Sequence, residues 1–197
     1  LLHAVCGIKV EFRELGKIPS GPLLVAAKHQ SLWETFALLL ILPDPAYIMK
    51  RELMYAPFLG QYALRIGCVP VDRGKRGAAI ARMKADVAKG TAEPGQLIIY
   101  PQGTRVAPGQ KKRYKPGGAH LAVQAKAKVV PVAHNAGEFW PRNAFFKRPG
   151  EVVVSVGPAI DTHGLTVHEI NAKAEAWIEA EMRRLFPSHY RHAGKRQ

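Results

Sequence analysis

The sequence predicts an α/β domain with a central, largely parallel or mixed sheet flanked by helices. Three observations predict it. Short apolar runs at 23–27, 96–100, 129–133 and 152–156 are bounded by turn residues, as buried strands are. Segments with helical periodicity lie between or after them, at 32–42, 78–89 and after Thr166. The 197 residues suffice for one such domain, and 47% hydrophobic residues is ordinary for a globular chain.

Taken in order, residues 8–13 alternate apolar and charged, which predicts a half-exposed edge strand. A turn at 19–22 precedes the buried strand 23–27. The helix 32–42 is stopped by Pro43-Asp44-Pro45. Residues 46–50 predict a strand. Residues 52–65 predict a helix broken at Pro57, with an apolar face, and 67–74 a strand ending in Arg73. The amphipathic helix 78–89 has Gly90 as its C-cap. Strand 96–100 runs into a turn at 101–105 and a basic loop, Lys111-Lys112-Arg113-Tyr114-Lys115, then a short helix to about Ala125. After strand 129–133, a loop at 137–150 mixes Phe139, Trp140, Phe145 and Phe146 with Arg142, Lys147 and Arg148. A capping box, Thr166-x-x-Glu169, opens the last helix, whose apolar face is Ile170, Ala174, Trp177, Ile178, Met182 and Leu185. Pro70 and Pro131 predict edge or irregular strands. Residues 1–190 read as a single domain and 191–197 as a flexible basic tail.

Charge narrows the partners. Lys and Arg number 29 against 15 Asp and Glu, a net charge of +14. From 94 to 137 there is no acidic residue, while Arg105, Lys111, Lys112, Arg113, Lys115, Lys126 and Lys128 fall inside. Such a field suits nucleic acid, an anionic membrane surface or phosphorylated substrates. No nucleic-acid-binding motif accompanies it, so nucleic acid is the least expected of the three. Two cysteines, Cys6 and Cys68, give neither a disulfide framework nor zinc spacing. No segment reads as a signal peptide or a membrane span.

The candidate chemistry sits at strand ends, where α/β folds place it. His29 follows the first buried strand and Glu34 lies five residues on. A neutral imidazole can act as a general base, and a carboxylate on its other nitrogen would fix the tautomer. Ser31-x-x-Glu34 equally fits a capping box, in which Glu34 only closes a helix end. Arg73 ends a second strand. Gln102, Gly103, Thr104 and Arg105 end a third, offering a guanidinium fork for phosphate and a glycine for close backbone approach.

Four blocks in order carry a resemblance. They are His29-x4-Glu34, Val69-Pro70-Val71-Asp72-Arg73, Gln102-Gly103-Thr104-Arg105 and Val130-Pro131-Val132. The set resembles the glycerolipid acyltransferase family, in which the first block carries Asp where Glu34 stands and the third carries Glu where Gln102 stands. The resemblance implies a glycerol-3-phosphate acyltransferase-like fold over a single acyltransferase domain. It implies His29 and Glu34 as the catalytic pair, with Arg73, Gln102, Gly103, Thr104 and Arg105 as substrate ligands. The implied reaction moves a fatty acyl group from acyl-CoA or acyl-carrier protein to the sn-2 hydroxyl of a lysophospholipid acceptor. Neither metal nor cofactor is implied, because a thioester is already activated. An anionic membrane surface, at the cytoplasmic face of the cell membrane, is the implied setting. The loop 139–148 and the apolar face within 52–65 are expected to meet it. Gln102 leaves open a different lyso-lipid acceptor, such as lyso-ornithine lipid, or a silent basic lipid-binding protein.

Overall fold

The computed structural model describes residues 2–55, 60–61, 65, 69–71 and 95–190. The strands are β1 (Ile8–Arg13), β2 (Leu23–Ala27), β3 (Pro45–Lys50), β4 (Val69–Val71), β5 (Gln96–Ile99), β6 (Lys128–His134) and β7 (Gly150–Val156). They form one seven-stranded sheet in the order β1-β7-β6-β2-β5-β3-β4. Every pairing is parallel except β6 with β7, so the sheet is mixed, as the sequence predicts. The α-helices among the described residues include α1 (Leu2–Cys6), α2 (Trp33–Ile41), α3 (Gly117–Ala125), α4 (Ala136–Phe139), α5 (Val167–Leu185) and α6 (Pro187–Tyr190). The expected helix at 78–89, Cys68 and Arg73 lie outside the described residues.

Alternation along β2 sorts the core into two layers. Leu23, Val25 and Ala27 face α2, packing with Trp33, Ala37, Leu38, Ile98 and Val132. Leu24 and Ala26 face the other way, onto Ala119 and Ala122 of α3 and Ile170, Ile178 and Met182 of α5. Burying each of the larger α5 side chains contributes about 1.5–3 kcal/mol. The α5 stripe repeats at helical spacing, and its start carries the expected reciprocal cap between Thr166 and Glu169. At Gly118 a Cβ would lie 2.0 Å from Ile99 Cδ1, so a larger residue there would require the Ile99 side chain to shift.

The two prolines behave differently. Pro70 lies in β4, at the end of the strand order. Pro131 does not mark an edge: it is buried in β6, between β2 and β7. A proline has no N–H to give to a ladder. It is tolerated here because β7 pairs only with Val132, Ala133 and His134. Opposite Pro131 the returning chain has already left the strand at Gly157, whose N–H donates to Pro131 O over 2.8 Å.

What this topology positions is one rim. β6, β2 and β5 are adjacent and parallel, so their carboxyl ends share an edge of the sheet. That edge carries Lys28 and His29, the 100–105 turn, and His134.

Candidate active site

β2 ends at Ala27, but pairing with β6 continues one step further, through Lys28 N to Val132 O at 3.0 Å. The pleat then sends consecutive side chains to opposite faces. Lys28 is buried on the α5 side, with Nζ 2.5 Å from Glu179 Oε1, and Glu179 Oε1 also accepts from Tyr114 Oη at 2.9 Å. His29 turns to the other face, and its side chain retains 20% exposure. Its carbonyl accepts from Val106 N at 2.8 Å, which ties the strand end to the segment after the 101–105 turn.

His29 Nδ1 lies 2.7 Å from Glu34 Oε1. The same oxygen accepts from the backbone N–H groups of Gln30 and Ser31, each at 2.9 Å, and Oε2 accepts from Ser31 N at 3.0 Å. Glu34 therefore both orients the ring and satisfies the backbone ahead of α2; the two readings of this residue are not exclusive. The other half of the expected capping box is absent. The helix N-cap is Leu32, with no side-chain cap, and Ser31 Oγ accepts from Trp33 N at 3.2 Å. The Ser31 side chain is buried and committed to that bond.

Burial pushes the Glu34 carboxyl up. His134, the His29 hydrogen bond and the Gln30 N–H outweigh it and hold the group below the usual carboxylate range. An ionised Glu34 takes its hydrogen bond from Nδ1–H, which leaves His29 Nε2 with a free lone pair.

A second histidine braces this pair. His134 is fully buried; its Nε2 is 2.7 Å from Lys28 O, and its Nδ1 accepts from Ala136 N at 3.3 Å. Only a neutral ring protonated on Nε2 meets both partners. Burial lowers its pKa, against the pull of Glu34, whose Oε1 is 4.0 Å from Nε2.

Tyr100 supplies the floor. Its ring stacks on His29 with centroids 3.9 Å apart and planes 14° from parallel. Its hydroxyl is 3.1 Å from Thr35 Oγ1, and Tyr47 Oη donates to Thr35 O at 2.8 Å. Burial first, and the Glu34 charge second, push the Tyr100 phenol up, so it stays protonated.

The turn after Tyr100 closes through Gly103 N to Tyr100 O at 2.9 Å, with Gly103 at φ 69°. Thr104 and Arg105 are half-buried beside it. Gln102 points elsewhere. It is only 1% exposed, and its Nε2 donates to Lys112 O at 3.2 Å. In this position its amide braces the basic loop.

His29, Glu34, Gly103, Thr104 and Arg105 thus gather at one rim, while Arg73 lies outside the described residues. Tyr100, His134 and Lys28 escaped the sequence reading. Each carried a signal: all three stand at the carboxyl end of a buried strand, the criterion that found His29.

A family model described as Acyltransferase matches residues 9–135. The chain is 36% identical over 190 residues to the 1-acyl-sn-glycerol-3-phosphate acyltransferase of Pseudomonas aeruginosa, covering 95% of this chain and 74% of that protein. It is 32% identical over 182 residues to the mouse 1-acyl-sn-glycerol-3-phosphate acyltransferase alpha, covering 89% of this chain and 64% of the mouse protein. The chain thus spans less than two thirds of that mammalian relative. In fold it matches the crystal structure of the 1-acyl-sn-glycerophosphate acyltransferase of Thermotoga maritima, with a TM-score of 0.77 at 24% identity, over 90% of this chain and 72% of that one.

Proposed function

Since the chain belongs to the acyltransferase family, we propose that it transfers a fatty acyl group to the sn-2 hydroxyl of 1-acyl-sn-glycerol-3-phosphate, forming phosphatidic acid for phospholipid synthesis. The observation that carries this reading is the His29–Glu34 contact at 2.7 Å, on a ring whose Nε2 is left as a base.

His29 Nε2 takes the proton of the acceptor hydroxyl as its oxygen bonds to the thioester carbonyl carbon of acyl-CoA or acyl-carrier protein. The tetrahedral intermediate then breaks its C–S bond, and the departing thiolate recovers the proton from the imidazolium. Glu34 stabilises that imidazolium and holds the ring. Base catalysis of this kind contributes about 10²–10⁴-fold. Ser31 is not the nucleophile on this reading, since its hydroxyl is buried and accepting from Trp33 N. Arg105, Thr104 and the Gly103 backbone are placed to receive the glycerol phosphate, and Arg73 completes the proposed ligand set. Gln102 serves this site indirectly, through the loop it braces.

The acceptor is a membrane lipid, and the proposed setting is the cytoplasmic face of the cell membrane. Two exposed apolar features support an interfacial position. Phe145 and Phe146 are 87% and 83% exposed, beside Lys147 stacked on Trp140 at 4.6 Å. Leu32, Phe36 and Leu40 form an exposed stripe on α2. No helix among the described residues is long and apolar enough to cross a membrane. Most of the apolar face expected within 52–65 lies outside the described residues.

The test is transfer from labelled acyl-CoA to a panel of lyso-lipids, by wild type and by His29→Ala. Product from 1-acylglycerol phosphate that His29→Ala reduces by about 10²-fold or more fits the proposal. Product only from a lyso-lipid without the phosphate monoester, or equal activity in the variant, would sink it.

A further inference from the structure

We propose that Lys115, which none of the four sequence blocks contains, binds the phosphate of the acyl acceptor, held in place by Gln102; the inference rests on the acceptor named above. In sequence Lys115 is one of several cations in a basic loop. The fold singles it out. The loop is fastened to the 101–103 turn by Lys115 N donating to Pro101 O at 3.0 Å and by Gln102 Nε2 donating to Lys112 O at 3.2 Å. Between those two points Tyr114 is buried, with its hydroxyl on Glu179. Three attachments fix a segment that charge alone would leave splayed in solvent.

The result is a placed amine. A Cβ built on Gly103 would lie 3.1 Å from Lys115 Nζ and 3.5 Å from Cε, so the side chain lies over the bare backbone of that glycine. Gly103 is joined by its own turn bond to Tyr100, the residue stacked on His29. The amine therefore sits one tight turn from the base. Chemistry demands a cation at such a place. The carbon bearing the reacting hydroxyl is bonded directly to the carbon bearing the phosphate ester, so an acceptor seated on His29 must bring its phosphate close by.

Lys115 is exposed, and its backbone N–H is taken up by Pro101 O, which leaves the ammonium to the solvent side of the turn. Among the described residues no carboxylate pairs with it or with Arg105, and residues 94–137 contain none to do so. An ammonium with three donors suits a phosphate dianion as a point charge beside the fork of Arg105. Gln102 completes the argument. Its buried Oε1 has no partner among the described residues, while its Nε2 donor serves the loop.

Steady-state kinetics on Lys115→Gln, Lys115→Arg and Gln102→Leu tests this. Lys115→Gln should raise the acceptor KM about 10- to 100-fold, the scale of a lost charge-assisted contact. The donor KM should not change and kcat should change little. Lys115→Arg should recover most of the loss, and Gln102→Leu should raise the acceptor KM by a smaller factor. A shift in the donor KM instead, no shift at all, or an arginine variant as impaired as the glutamine one would overturn the proposal. Equilibrium dialysis with a short-chain 1-acylglycerol phosphate separates it from the functional reading. If wild type transfers nothing, the functional reading fails; tighter binding by wild type than by Lys115→Gln would still support Lys115. Equal binding, or none by wild type, would end it.

Discussion

Glu34 Oε1 accepts from an imidazole and two backbone amides at once. A neutral amide cannot match this, since its NH₂ would face donors or give His29 the wrong tautomer. Glu34→Gln is expected to lower kcat about 10²–10⁴-fold while His29 stays in place, measurable by steady-state kinetics. The same substitution should change acid stability. The folded carboxyl titrates below the ordinary value of 4.5, so the unfolded chain binds more protons in that range. Its contribution is complete above about pH 4.5 and is lost as pH falls through the folded value. His134 works in the same direction at higher pH. Its folded pKa lies below the ordinary 6.5, so its contribution is present above about pH 6.5 and fades as acid protonates the unfolded chain first. His134→Gln should flatten urea-midpoint stability between about pH 5 and 7; an unchanged slope would count against a buried neutral ring. At this scale the His29–Glu34 spacing was legible, because one strand end and one helix start fix both residues locally. His134 and Tyr100 also stand at strand ends, but their approach to His29 was not legible, because it comes from the pairing of strands far apart in sequence.

Elements supply the rigidity these contacts need. The chain at Lys28 is held by its N–H on Val132 O, by its carbonyl on His134 and by its ammonium on Glu179 of α5. The strand end that carries His29 is thus tied to a helix on the far side of the sheet. Removing one partner of a buried pair costs about 3–5 kcal/mol at most, and toward the lower end where the other keeps a hydrogen bond, as Glu179 does from Tyr114 Oη. Lys28→Met alone should cost on that scale in denaturant unfolding, while Lys28→Met with Glu179→Leu should be far milder. Equal losses in single and double variants would argue that the ammonium does not face Glu179. The apolar periodicity of α5 and the Thr166–Glu169 cap were readable, since both are written in residues three or four apart. Pro131 misled because the rule for proline concerns ladder donors. Where β7 has already diverged at Gly157, a central strand needs no donor on that side.

For the whole molecule, the basic balance and the exposed aromatics point to a charged interface. Phe145→Asp with Phe146→Asp should weaken sedimentation with anionic liposomes and leave circular dichroism unchanged. Unaltered sedimentation would mean the loop does not meet lipid. The fold class was legible because strand and helix periods alternate along the chain; strand order was not, since nothing local encodes which buried run lies beside which. That order has a further consequence. β7 runs against β6, so the segment joining them, with Phe145 and Phe146 at its tip, opens on the same rim as His29. Pulling a lyso-lipid tail into water costs about 0.8 kcal/mol for every methylene exposed. On the proposed interfacial reading, an aromatic tip and a base on one rim mean that only the head group need rise to meet the imidazole, while the tail stays in its leaflet throughout turnover.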